Sequence, residues 1–174
     1  MPLYTRRGDQ GTSNLIWGER ISKSDMIFEV LGTIDEVDAA LGVARSQCRR
    51  AQNCEILVKV QKDLWMLMAD IASLSGSAEQ QRNEIGDAHV QWIEDQIQSL
   101  EENFPMPNGF IVPGDSYPAA LLDVARTIAR RAERRMVSYV QGHSFHNPAV
   151  MRYLNRLSSL CYALELSELS TGDD

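Results

Sequence analysis

Residues Ala120–Tyr139, ALLDVARTIARRAERRMVSY, hold no glycine or proline and are rich in Ala, Leu, Arg, Glu and Met. Those residues form helices readily, so the stretch reads as one continuous helix that opens near Ser116-Tyr117-Pro118. At about 100° per residue, Arg126, Arg130 and Arg134 fall at roughly 0°, 40° and 80° on the helical wheel. Leu121, Leu122, Ala125, Ile128, Ala129, Ala132 and Met136 fill the arc from roughly 200° to 320°, with Glu133 near 340°, between that stripe and the arginines. A cationic ridge therefore borders the packed face. Guanidinium groups placed there are partly desolvated and call for an acidic partner or an anionic ligand. The plainer reading of an Arg-rich helix is a solvated basic face.

An apolar stripe needs partners, and the rest of the chain supplies four more amphipathic stretches. From Asp25 to about Gln47, Ile27, Val30, Leu31, Ile34, Val37, Leu41 and Val43 follow helical spacing, with Ser24 or Asp25 as the N-cap. Gly32 and Gly42 inside this helix are expected to mark close helix contacts. Asp35 lies at the edge of the seam, where it could orient an arginine, although a solvent-facing cluster with Glu36 and Asp38 is the usual explanation. A second helix covers Ala51 to Ser73, its stripe formed by Ile56, Leu57, Val60, Leu64, Leu67, Met68 and Ile71, with Trp65 and Met66 expected to fill the core. A third runs from about Asn83 to Asn103. The connection FPMPNGFIVPGDSY, Phe104 to Tyr117, holds three prolines and two glycines and cannot be helical throughout. After a turn over Gln141–Asn147, Pro148 opens a last helix that reaches about Leu169. This organisation predicts an all-α five-helix bundle forming one domain over residues 1–174.

With a net charge of −7 the chain is a poor general polyanion binder, so Arg130, Arg131, Arg134 and Arg135 in one short segment suggest a local anion site and not a nucleic-acid surface. No apolar run of membrane-spanning length occurs and the first residues lack the apolar core of a signal peptide, which leads us to expect a cytoplasmic protein without a membrane partner. Cys48, Cys54 and Cys161 are odd in number and show no CxxC spacing, so they read as free thiols with packing roles. His143 and His146 lie in a turn without further ligands nearby, and no metal site is assigned to them. Residues 1–24 are the least helical part. Gly8, Asp9, Gly11, Thr12, Ser13, Arg6 and Arg7 suit a loop whose N–H groups and side chains wrap an anion, or else a plain polar terminus.

Four separated pieces, taken together, resemble the ATP:cob(I)alamin adenosyltransferase family. They are YTRRGDQGTS at Tyr4–Ser13, GTIDEVDAALG at Gly32–Gly42, FIVPG at Phe110–Gly114 leading into ARTIARRAERR at Ala125–Arg135, and NRLSS at Asn155–Ser159. The resemblance implies a homotrimer of five-helix bundles that binds ATP, with Mg2+, at subunit interfaces and takes cobalamin as its corrinoid substrate. It implies transfer of the 5′-deoxyadenosyl group of ATP to cob(I)alamin with release of triphosphate. A reductase and an adenosylcobalamin-dependent enzyme are the further partners it implies. Residue by residue, it assigns Thr5, Arg6, Gly8, Gly11, Thr12, Ser13 and Lys23, in the ATP-binding loop 1–24, to the triphosphate. Arg130, Glu133 and Asn155 are assigned to the nucleotide from the neighbouring subunit, with Arg134 adding charge. Asp35 is expected to pair with Arg126 across the interface, and Phe110 to pack beneath the corrin and keep the lower cobalt position empty. Departures from the family pattern fall at Arg7, Asp38, Asp115, Asp123 and Ser159. They motivate an alternative, a catalytically impaired homologue that binds ATP or corrinoid as a sensor or delivery partner.

Overall fold

The computed structural model describes residues 4, 6–15, 20–73, 84–104, 106–107, 109, 111–143, 145 and 147–170. Several helices begin where a side chain can satisfy free N–H groups. Asp25 caps α1 (Met26–Arg45), its carboxylate accepting the Ile27 N–H at 3.0 Å. Arg50, which precedes α2 (Ala51–Ala72), offers no side-chain cap. The cap comes instead from α5 (Pro148–Leu169), whose buried Glu168 accepts the N–H groups of Arg49 at 3.0 Å and Arg50 at 3.4 Å. Its Oε1 also accepts from the buried Asn53 amide at 2.6 Å. At the start of α5 itself, Asn147 accepts the Ala149 N–H at 3.0 Å while its amide donates to Asp70 at 2.7 Å and to the Ile85 carbonyl at 2.8 Å. That side chain pins the turn to α2 and to the segment before α3 (Asp87–Asn103).

α4 (Tyr117–Gly142) packs between α1 and α5, while α2 lies on α1 and α3 on α5. Buried Ala125, Ala129 and Ala132 give α4 a smooth face that lets both neighbours approach closely. Ile34, Leu41, Leu57, Leu64, Ile93, Met136 and Leu154, from all five helices, join one fully buried cluster. Each such side chain contributes about 1.5–3 kcal/mol through its removal from water. Several polar groups inside are partnered: Tyr153 Oη donates to Asp63 Oδ2 at 3.1 Å, and Lys59 Nζ donates to the same oxygen at 2.6 Å while standing over the Trp92 ring. Cys48, Cys54 and Cys161 are free, as expected, and burial pushes the Cys161 thiol up to about 12.

The all-α five-helix reading holds among the described residues, with four local differences. The third helix starts at Asp87, not near Asn83, because Gly86 is extended and its N–H donates to His89 Nδ1 at 3.1 Å. The N-terminal loop contains a small antiparallel ribbon, β1 (Thr12–Asn14) with β2 (Arg20–Ser22), in which Ser13 faces Ile21. Strands of three residues are too short to leave an alternating signature in sequence. Trp65 does not fill the core: it is 61% exposed and its indole N–H donates to Asp38 Oδ2 at 3.0 Å, joining α2 to α1. A Cβ at Gly32 would meet nothing, so that glycine marks no close helix contact within the chain, whereas one at Gly42 would lie 3.4 Å from Gln61 Nε2. Among the described residues no helix is long and apolar enough to cross a membrane.

Candidate functional site

α4 carries five arginines, and four of them divide between two tasks. Arg131 pairs with Glu36, and Arg135 with Glu29 at 3.5 Å, so these two tie α4 to α1. Arg126 and Arg130 face the other way. They line a cavity of about 500 Å³ together with Asp123 of the same helix, Glu101 of α3, and Ser158, Ser159, Tyr162 and Glu165 of α5. Met106, Gly109, Ile111 and Pro113 of the connection before α4 supply its less polar wall. The cavity thus sets two guanidinium groups and three carboxyl side chains beside a less polar wall, a mixture that suits a large ligand with both polar and apolar parts.

Within the cavity Arg126 is held by Asp123, one turn earlier on α4, through Nε at 2.8 Å and Nη2 at 2.7 Å to Oδ1. Asp35 is elsewhere. It lines a separate groove of about 460 Å³ with Leu31, Gly32, Trp65, Met68 and the Asn14-Leu15 end of β1. One copy of the chain therefore does not bring Asp35 and Arg126 together. Arg130 is exposed and has no ion-pair partner among the described residues, while Arg134 Nη1 donates to the Arg130 carbonyl at 3.1 Å. Glu133 and Asn155, on α4 and α5, do meet: Asn155 Nδ2 donates to Glu133 Oε1 at 2.6 Å, and Asn155 Oδ1 accepts from Arg156 at 2.6 Å.

The N-terminal residues form a compact turn. The Asp9 N–H donates to the Arg6 carbonyl at 3.3 Å, that of Gly11 to Gly8 at 3.2 Å, and that of Lys23 to Gly11 at 2.8 Å. Gly11 has a φ of 73°, and a Cβ at Gly8 would stand 2.9 Å from Lys23 Nζ. A side chain at Gly8 would thus have to push the tip of Lys23 aside. Thr12 Oγ1 accepts from Arg20 Nε at 2.6 Å, and the Thr12 carbonyl accepts from Arg20 Nη2 at 3.1 Å. Arg6, Gly8, Gly11, Thr12, Ser13 and Lys23 are accordingly neighbours, joined by Arg20, which the sequence reading left without a role. Thr5 and Phe110 lie outside the described residues, as does His146; Gly109 and Ile111 on either side of Phe110 line the cavity. His143 stacks on Tyr139 at 4.4 Å, and among the described residues no group of three or more His, Cys, Asp or Glu could hold a metal ion.

Glu165 is the other residue absent from the sequence-based set. It is 2% exposed, and its Oε2 has no hydrogen-bond partner although it belongs to the cavity wall. Burial pushes its carboxyl up to about 7, the Asp123 charge adds to the rise, and Arg126 opposes it. Carboxylates in helices normally read as solvent-facing, so its identity alone carries no signal of this position.

Fold and cavity together define a five-helix protein with a cavity between its fourth and fifth helices that two arginines and three acidic side chains line. The chain belongs to the cobalamin adenosyltransferase family, whose model matches residues 3–168. It is 38% identical over 168 residues to the corrinoid adenosyltransferase PduO of Citrobacter freundii, covering 97% of this chain and 50% of that protein. The chain thus spans half the length of that relative. A second corrinoid adenosyltransferase of Citrobacter freundii is 35% identical over 172 residues, covering 98% of this chain and 97% of the other. In structure, it is similar to a variant PduO-type ATP:corrinoid adenosyltransferase from Lactobacillus reuteri complexed with cobalamin and ATP. The TM-score is 0.86 at 26% identity, over 97% of this chain and 91% of that one.

Proposed function

We propose that this protein transfers the 5′-deoxyadenosyl group of ATP to cob(I)alamin. The observation that carries this reading is the cavity that Arg126 and Arg130 line together with Met106, Gly109, Ile111 and Pro113, in a chain of this family. In the reaction, the electron pair of cobalt(I) attacks C5′ of ATP. A Co–C bond forms, the C–O bond to the phosphate chain breaks, cobalt becomes formally trivalent, and triphosphate leaves with the bonding pair. No protein nucleophile is required. The chain's work is to align the two substrates and to stabilise the departing charge.

Arg6, Gly8, Gly11, Thr12, Ser13 and Lys23, with Thr5, wrap the triphosphate in this proposal, a role supported by the turn that brings Lys23 back to Gly11 through its N–H. Mg2+ accompanies the phosphates. Arg130, Glu133 and Asn155 hold the nucleotide from the neighbouring subunit of a homotrimer, and Arg134 reinforces the positive potential. The Asn155–Glu133 hydrogen bond fixes both side chains before ligand arrives. Arg126 uses Nε and Nη2 on Asp123, which leaves Nη1 to meet the partner subunit's Asp35. Phe110 packs below the corrin, excluding a lower axial ligand and easing reduction to the nucleophilic state. Residues 1–174 act as a single domain with its ATP loop at 1–24, in the cytoplasm, served by a reductase and supplying an adenosylcobalamin-dependent enzyme.

Incubation of the purified protein with Mg-ATP and chemically reduced cobalamin, followed by absorbance, tests the activity. Spectral conversion to adenosylcobalamin with equimolar triphosphate is expected, and absence of both products would remove the proposal. The hold of Asp123 on Arg126 favours a second reading, a homologue that binds ATP or corrinoid as a sensor or delivery partner without turnover. Calorimetric binding of ATP without triphosphate release would select it.

A further inference from the structure

Asn155 belongs to a relay of hydrogen bonds that crosses three helices. Glu94 Oε1 of α3 accepts from Arg156 Nε of α5 at 2.8 Å, and Arg156 Nη1 donates to Asn155 Oδ1 at 2.6 Å. Asn155 Nδ2 in turn donates to Glu133 Oε1 of α4 at 2.6 Å. A primary amide has nearly the same shape either way round while its two ends do opposite chemistry, so its neighbours decide which end is which. Arg156 can only donate, and an ionised Glu133 can only accept. Turning the amide over would set its NH2 against the guanidinium and its carbonyl against the carboxylate. The relay therefore gives an exposed side chain a single orientation. It uses one N–H and one lone pair of the amide, which leaves a donor and an acceptor of fixed direction for a ligand.

We propose that Arg156 is a positioning residue for the nucleotide: it sets the Asn155 amide for ATP, and Glu94 holds it in place from α3. The inference rests on the assignment of Asn155 and Glu133 to the nucleotide given above. Two observations favour this role over a plain link between α3 and α5. The Arg156–Glu94 pair is 39% and 38% exposed, and ion pairs so open to water add little to stability. Arg156 also forgoes the two-pronged grip on a carboxylate that a link would favour: Nε alone meets Glu94, while Nη1 goes to a neutral amide. A guanidinium on the amide oxygen polarises the group and makes its N–H groups better donors. The other way Arg156 could serve ATP is through its own charge acting on the phosphates, and the test separates the two.

Calorimetry with Mg-ATP measures Kd for the wild-type protein, for Arg156→Met, Arg156→Lys and Asn155→Ala, and for Arg156→Met combined with Asn155→Ala. Methionine keeps the apolar stem of Arg156 and removes its donors. Arg156→Met is expected to weaken ATP binding about fivefold and Asn155→Ala about tenfold, within the range of coupling in one hydrogen-bonded network. Once the Asn155 amide is gone Arg156 has nothing to orient, so adding Arg156→Met to Asn155→Ala should change Kd by less than about twofold. Arg156→Lys, which still offers Asn155 Oδ1 a donor, is expected to stay within about threefold of wild type. All variants should melt close to the wild-type temperature, because the pair with Glu94 is half exposed. An equal loss from Arg156→Met with and without Asn155 would mean that its charge acts alone, and this overturns the assignment. Wild-type affinity in Arg156→Met, or a loss that follows a lowered melting temperature, overturns it too. Each of these leaves the proposed activity standing. Wild-type affinity in Asn155→Ala removes Asn155 from the nucleotide site and this inference with it, whereas wild-type protein that binds no Mg-ATP removes the reading of the site as a whole.

Discussion

Burial raises the Glu165 carboxyl from an ordinary 4.5 to about 7, with Asp123 adding to the rise and Arg126 offsetting part of it. The folded chain therefore holds a proton between those two values that the unfolded chain has released. Stability from this group is intact below the unfolded value and is lost as pH rises through about 7. The full change amounts to roughly 3 kcal/mol at pH 8. Glu165→Gln removes the linkage. Urea unfolding should show the variant more stable than wild type by up to roughly that amount at pH 8, and nearly equal to it at pH 4.5. An identical difference at both pH values would exclude Glu165 as its source. Arg130 concerns the ligand instead. It is exposed and has no ion-pair partner among the described residues, so its loss should cost the fold little. Arg130→Ala is expected to raise the KM for ATP by roughly ten- to a hundredfold, the range of a charge-assisted phosphate contact, and an unchanged KM and kcat in steady-state assays would reject its assignment.

Helix α2 depends on a residue more than a hundred positions away in the chain. The N–H groups of Arg49 and Arg50, which lead into it, donate to Glu168 of α5, which also accepts from Asn53. Glu168→Ala should cost about 2–4 kcal/mol, since it removes the cap and strands the buried Asn53 amide, whereas Glu168→Gln should retain part of the contact. A urea midpoint unmoved by Glu168→Ala would show that α2 is capped by other means. The same element shows where sequence reading stops. The spacing of Leu57, Val60, Leu64, Leu67 and Ile71 made its buried face plain, but a helical wheel says nothing about a neighbour's side chains. Trp65 sits off that stripe by about 100° from Leu64, and the Asp38 carboxylate that receives its N–H comes from α1. Glu165 was hidden for the same reason: only the arrival of α4, with Asp123 and Arg126, makes its position a cavity wall. Arg126 and Arg130 were legible because their ridge adjoins the apolar stripe on one helix, a relation contained within local sequence.

At the scale of the molecule, the proposed pairing of Arg126 with Asp35 distinguishes one copy from an assembly. Asp123 reaches it within the chain, while Asp35 opens onto a different groove beside the exposed Trp65. Large exposed apolar groups beside a carboxylate are what an interface between copies would cover. If the partner subunit's Asp35 completes the pair, each active site draws on two chains. Asp35→Asn and Arg126→Ala proteins should each form trimers, three times the 19.5 kDa chain by light scattering, with little adenosyltransferase activity. Unfolding the two together at equal concentration and refolding them should restore activity. An interface is native only when its Asp35 comes from the Arg126→Ala chain and its Arg126 from the Asp35→Asn chain, which random assembly produces at about one interface in four. About a quarter of wild-type activity is the expected ceiling for the mixture, against almost none for either variant refolded alone. Were the pair made within a single chain, every site in the mixture would carry one defect or the other, and mixing would restore nothing.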